Sequence, residues 1–203
     1  MRIGLDFDNT IAIYDRVFHR YAQELGMPAS VPATKHAVRA WFWDQPLGNT
    51  PWTELQGLVY GTKLHEAELG PGLEDFLRAC QARGVAVSVI SHKTRYPALG
   101  PKHDLRAAAQ AFLEARGIVG ELGVEPERVF FNDTREEKVA RVASEGCVAF
   151  VDDLPGVFTE AGFPRQAQRL LLDRAGEVAD VPPGVIPCAD FAAVAVALWG
   201  AEG

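Results

Sequence analysis

The sequence has no apolar run long enough to span a membrane. The longest candidate, Phe191 to Trp199, falls far short of the roughly 20 residues that a helix needs to cross a bilayer. Cysteine is scarce: Cys80, Cys147 and Cys188 are an odd number, set wide apart among apolar or small neighbours. That pattern argues against a disulfide framework and against a zinc knuckle, and it fits buried thiols in a reducing compartment. Positive charge is in deficit, since 20 Lys and Arg against 27 Asp and Glu give a net charge of −7, the wrong sign for a nucleic-acid polymer as partner. After Met1-Arg2 the chain runs through Ile3-Gly4-Leu5 into two acids, without the apolar core of a secretory signal, so a cytoplasmic, membrane-free protein is expected. A Gly-rich loop ending in Gly-Lys-Ser/Thr, a GxSxG elbow, an HExxH pair and a GxGxxG turn are all missing.

What is present is an ordinary globular composition, 48% apolar and 23% charged over 203 residues, enough for one substantial domain and a modest insertion. Short apolar runs end repeatedly in polar clusters. Arg2 to Phe7 leads into Asp6-Phe7-Asp8-Asn9-Thr10, and Val85 to Ile90 into Ser91-His92-Lys93-Thr94. Val129-Phe130-Phe131 leads into Asn132-Asp133-Thr134, and Cys147 to Val151 into Asp152-Asp153. Helical spacing separates these runs at Leu73 to Cys80, Leu105 to Ala115 and Arg135 to Ser144; Thr134 and Glu137 are spaced as a capping box for the last of these. Arg169 to Leu172 and Val185-Ile186 add weaker edge strands, and Asp190 is placed to cap a final helix, Phe191 to Trp199. Strands alternating with helices predict an α/β fold, a Rossmann-like doubly wound parallel sheet.

Ile11 to Leu69 breaks the alternation, being too long for one crossover. Amphipathic pieces at Val17 to Leu25 and Ala33 to Phe42 make it a small helical cap inserted after the first strand. The domain boundaries are then 1–13 and 70–203 for the core and 14–69 for the cap. The insertion holds Trp41, Phe42, Trp43 and Trp52, which are suited either to a core of its own or to contact with a substrate.

A parallel sheet gathers its strand tips along one edge, which brings Asp6, Asp8, Asp152 and Asp153 together. Four carboxylates at close range repel unless a cation lies among them, and oxygen donors without His or Cys favour Mg²⁺. Ser91 and Lys138 then offer a hydroxyl and an ammonium to the oxygens of a phosphoryl group. His92 and Lys93 follow Ser91 directly, and His92 joins the expected phosphate-binding set. Arg95, Lys102, His103 and Arg106 make either a basic rim or a counterweight to the acidity of the chain.

Asp-Phe-Asp-Asn-Thr at 6 to 10, the strand ending in Ser91, Lys138, and Val-Asp-Asp at 151 to 153 resemble the four ordered motifs of the haloacid dehalogenase superfamily. The resemblance covers the core. It implies that Asp6 is a nucleophile forming an aspartyl-phosphate, that Asp8 is the general acid and base, and that Thr10 steadies the loop. It places Mg²⁺ among a carboxylate oxygen of Asp6, the backbone carbonyl of Asp8 and the Asp152-Asp153 pair, with Asp153 favoured for direct contact. Dehalogenating members lack an acid two residues after the nucleophile, so Asp8 favours a phosphatase acting on a small-molecule phosphomonoester. The alternatives are phosphoryl transfer to a second alcohol, a phosphonatase using a cap lysine such as Lys35 or Lys63, and a non-catalytic module that binds a phospho-ligand or a protein. A homodimer is also compatible with the sequence.

Overall fold

The structure, a computed structural model, describes residues 1–47 and 49–200. The chain forms β1 (Arg2–Leu5), β2 (Ala12–Ile13), α1 (Asp15–Glu24), α2 (Lys35–Trp43), α3 (Asn49–Tyr60), β3 (Glu68–Leu69), α4 (Leu73–Ala82) and β4 (Ala86–His92). It continues through α5 (Leu105–Ala115), β5 (Val129–Asn132), α6 (Arg135–Ser144), β6 (Ala149–Asp152), β7 (Gln168–Leu172), β8 (Val185–Cys188) and α7 (Phe191–Trp199). By its internal contacts it divides into two units.

The first unit comprises Met1–Ala12, Leu69–Lys93 and Leu113–Gly203. Its sheet is six-stranded in the order β5-β4-β1-β6-β7-β8, and the strand pairs are parallel, which makes this the expected Rossmann-like α/β architecture. The central strand β1 has Leu5 in register with Val89 of β4 on one side and with Val151 of β6 on the other. The residues that follow these partners therefore emerge together at one edge of the sheet.

Burial on both faces explains why the strands read as nearly continuous apolar runs. One face buries Ile90, Phe150 and Leu171 against Val139 and Val142 of α6, with Phe158 and Phe163 in the same cluster. Each large side chain of this kind contributes about 1.5–3 kcal/mol by leaving water. Gly4 is required here by close approach, because a Cβ at this position would meet the Phe150 ring at 2.6 Å. Capping fixes the entry of α6: Thr134 Oγ1 accepts from Glu137 N at 3.1 Å, while Glu137 Oε2 accepts from Asp133 N at 2.8 Å. The reciprocal bond of the expected box thus falls one residue earlier. Asp190 caps α7 by accepting from Ala193 N at 2.8 Å. All three cysteines are free and buried, and burial pushes the Cys80 thiol up to about 12 and that of Cys147 up to about 11.

The second unit comprises Ile13–Glu68 and Thr94–Phe112. Helices α1, α2 and α3 pack on an aromatic core in which the Phe18 and Trp52 rings stack at 4.9 Å, and Tyr14 and Tyr60 meet edge to face at 4.9 Å. Phe42 and Trp52 are buried in that core, whereas Trp43 is 52% exposed. Segment 94–112, placed by the sequence boundaries with the core, groups by contact with the helical insertion. Gly57 on α3 is one reason, since a Cβ there would lie 2.9 Å from Pro97 Cβ. Among the described residues, no helix is long and apolar enough to cross a membrane.

Candidate active site

The floor of the site is built where β1, β4 and β6 end. Asp6 continues the ladder beyond β1, its N–H donating to the Val151 carbonyl at 2.9 Å, and it is 4% exposed. The turn that follows is closed by Ile11 and Ala12 N–H groups, both donating to the Phe7 carbonyl, with Asn9 held at φ 57° in the left-handed region. That conformation suits Asn, whose short polar side chain tolerates it. Here Asn9 Nδ2 donates to Asp153 Oδ2 at 3.1 Å and ties the turn to the end of β6.

Lys138 reaches the floor from α6. Its Nζ donates at 2.6 Å to Asp6 Oδ1 and at 2.6 Å to Asp152 Oδ2, and the lysine is 2% exposed. Burial opposes its charge, but attraction to Asp152 and Asp6 more than offsets that and raises its pKa. Asp152 is fully buried, and its other oxygen accepts from Leu154 N at 2.9 Å. Asp6 is pushed up to about 8, first by burial; Lys138 pulls the other way, and repulsion from Asp152, Asp153 and Asp8 adds to the rise. One ammonium shared between two acids does not outweigh burial, the leading cause, together with the repulsion of three further carboxylates.

Asp6, Asp152 and Asp153 each offer a carboxylate oxygen, and these oxygens lie within 4.8 Å of one another. The donor set is hard oxygen throughout and carries surplus negative charge, so it fits a divalent cation of the Mg²⁺ class. Two hydroxyls add to the site. Thr10 Oγ1 and Ser91 Oγ are buried without a hydrogen-bond partner. An orphan of this kind costs about 1–3 kcal/mol and is commonly explained by an absent ligand or water.

Asp8 lies in the same turn but is oriented differently. Lys93 Nζ is 2.9 Å from both of its carboxylate oxygens, and the Lys93 side chain is only 3% exposed. The sequence groups His92 with phosphate and gives Lys93 no defined partner; in the structure Lys93 is the one held against an acid of the turn. Strand β4 runs on through His92, so the pleat buries Ser91 and Lys93 and leaves His92 exposed. Two-residue spacing from Ser91 was the signal available for Lys93. Asn132, also missed, is buried and donates through Nδ2 to the Ser91 carbonyl at 3.0 Å.

Asp6, Asp8, Thr10, Ser91, Lys138, Asp152 and Asp153 all belong to the first unit, whereas Arg95 is engaged within the second, bonded to Asp104 at 2.9 Å. Lys35 Nζ lies 5.5 Å from the centre of the Tyr60 ring, and Lys63 Nζ lies 3.9 Å from Glu66.

No protein-family profile and no curated protein matches the sequence. Solved structures do match. The chain is similar to a HAD family hydrolase from Deinococcus radiodurans R1 with bound phosphate and sodium: 14% identity, 97% of this chain and 94% of that one, TM-score 0.57. It is similar to a predicted phosphoglycolate phosphatase from Haemophilus somnus 129pt, with 16% identity, 97% and 96% coverage and a TM-score of 0.53. It is also similar to an L-2-haloacid dehalogenase, with 15% identity, 95% and 96% coverage and a TM-score of 0.51. The chain has the fold of the haloacid dehalogenase superfamily hydrolases.

Proposed function

We propose that the protein is a Mg²⁺-dependent phosphatase that hydrolyses a small-molecule phosphomonoester through an aspartyl-phosphate on Asp6. The observation that carries this reading is the convergence of Asp6, Asp152 and Asp153 beside Lys138, with the unpartnered hydroxyls of Thr10 and Ser91 also buried. Acids, ammonium and hydroxyls together suit an anion that arrives with a cation. Carbon–halogen cleavage has no use for a divalent site, and Asp8 is the acid that dehalogenating relatives of this resemblance lack.

In this reading an Asp6 oxygen attacks phosphorus as the bond to the alcohol oxygen breaks, and Asp8 gives that oxygen its proton. Asp8 then takes a proton from the water that attacks the phosphoryl group and frees Asp6. Lys138, Ser91 and Thr10 serve the phosphoryl oxygens. Mg²⁺, when bound, offsets negative charge on the carboxylates and on phosphate. Asp6, Asp153 and the Asp8 carbonyl would hold it directly, because Asp152 already uses both oxygens, on Lys138 and on Leu154 N. The helical second unit is assigned as the cap that selects the substrate, and the three buried free thiols suit a cytoplasmic setting.

The test is phosphate release from p-nitrophenyl phosphate and from a panel of metabolite phosphates. Turnover requiring Mg²⁺, lost with chelator and in Asp6→Asn, supports the reading. Retained binding of a phosphorylated compound without turnover on any substrate would favour a non-catalytic module instead.

A further inference from the structure

We propose that Lys93 is a positioning residue for proton transfer. By gripping the Asp8 carboxyl group it holds the rotamer from which the departing alcohol receives its proton. The inference rests on the phosphatase reading and adds a residue to it.

Lys93 is tethered along its whole length. Its backbone N–H donates to the Asn132 carbonyl at 2.9 Å, its ammonium lies 5.1 Å from the centre of the buried Phe7 ring, and Nζ is 2.9 Å from both Asp8 oxygens. A lysine confined in this way gives up side-chain freedom and much of its hydration, so its placement calls for a compensating interaction. Asp8 supplies one. Contact with both oxygens fixes the plane of the carboxyl group, while the closed turn at Phe7 to Ala12 fixes its backbone. An ammonium has three N–H donors, so it can keep one oxygen while the other carries the proton.

The two buried lysines thereby divide the acids. Lys138 serves Asp6 and Asp152, and Lys93 serves Asp8. Proton transfer needs hydrogen-bond reach and alignment, and small displacements of a reacting group cost large factors in rate.

A positioning role has a signature that a general structural role lacks. In the first step the phosphorus–oxygen bond breaks with its electron pair staying on the alcohol oxygen. A nitrophenolate leaves readily without a proton, whereas an alkoxide does not. The experiment compares kcat/KM for p-nitrophenyl, phenyl and benzyl phosphate in the wild type, Lys93→Met and Lys93→Arg, with Mg²⁺ and with folding checked by circular dichroism.

We expect Lys93→Met to lose roughly tenfold more on benzyl than on p-nitrophenyl phosphate, a fraction of what general acid catalysis supplies. Lys93→Arg is expected to recover most of the difference. Should Lys93→Met not fold, Lys93→Gln, which keeps a donor, is expected to show a smaller leaving-group dependence of the same sign. Equal losses on all three esters, or no loss, would overturn the role of Lys93 and leave the phosphatase reading intact. Absence of wild-type turnover on every ester would remove both.

Discussion

Lys138 Nζ and Asp6 Oδ1 meet at 2.6 Å in a site almost closed to solvent, although the two residues are 132 positions apart in the chain. This contact sets the charge balance of the site, and the first prediction concerns its removal. Lys138→Met leaves Asp6 and Asp152 buried without a cation. Breaking a buried pair on one side costs about 3–5 kcal/mol. The loss should appear in urea unfolding at neutral pH and be accompanied by loss of phosphate release.

The second prediction follows from Asp6 titrating near 8. Its folded pKa lies above the ordinary 3.8, so the protonated form is favoured in the folded protein. Its stabilising contribution is complete below about 3.8 and is lost as the pH rises through about 8. Thermal melting in chelator should therefore decline from mildly acidic to alkaline pH. Added Mg²⁺ should reverse the decline and, near pH 7, release protons detectable with an indicator dye.

Asp6→Asn separates stability from activity. The substitution keeps the shape and removes one of several crowded carboxylates. Phosphate release should vanish, while the melting temperature in chelator at alkaline pH should stay level or rise. A fall in both would mean that Asp6 is mainly a structural partner of Lys138.

Two tryptophans of the helical unit should behave oppositely. Trp52 stacks on Phe18 in its core, so Trp52→Ala should cost about 3–5 kcal/mol in denaturant unfolding. Trp43 is half exposed beneath the Arg39 guanidinium, and Trp43→Ala should stay within about 0.5 kcal/mol.

Elements whose signals are local were legible in the sequence. Helices α5, α6 and α7 begin and end where apolar spacing and capping residues place them, because Thr134 and Asp190 satisfy the first free N–H groups by side chains a few positions away. Helix α3 lay outside the amphipathic pieces that the sequence singles out in the insertion, and Gly57 in its interior is a poor helix former. The reason for Gly57, its approach to Pro97, lies in a distant segment. The acids of the site were legible because strand tips concentrate them. The sequence reading ends this strand at Ile90, two residues short of His92, and so does not carry the in–out alternation through Ser91, His92 and Lys93. The pairing of Lys93 with Asp8 spans 85 positions, and no local pattern announces it.

Because β1 lies between β4 and β6, the pieces of the site come from early, middle and late portions of the polypeptide. A ribosome delivering this chain exposes the acids of the first turn long before the lysine of α6 and the acids after β6 emerge. Until then no partial product can bring these acids and Lys138 together, so the order of synthesis alone keeps the cluster apart in unfinished chains.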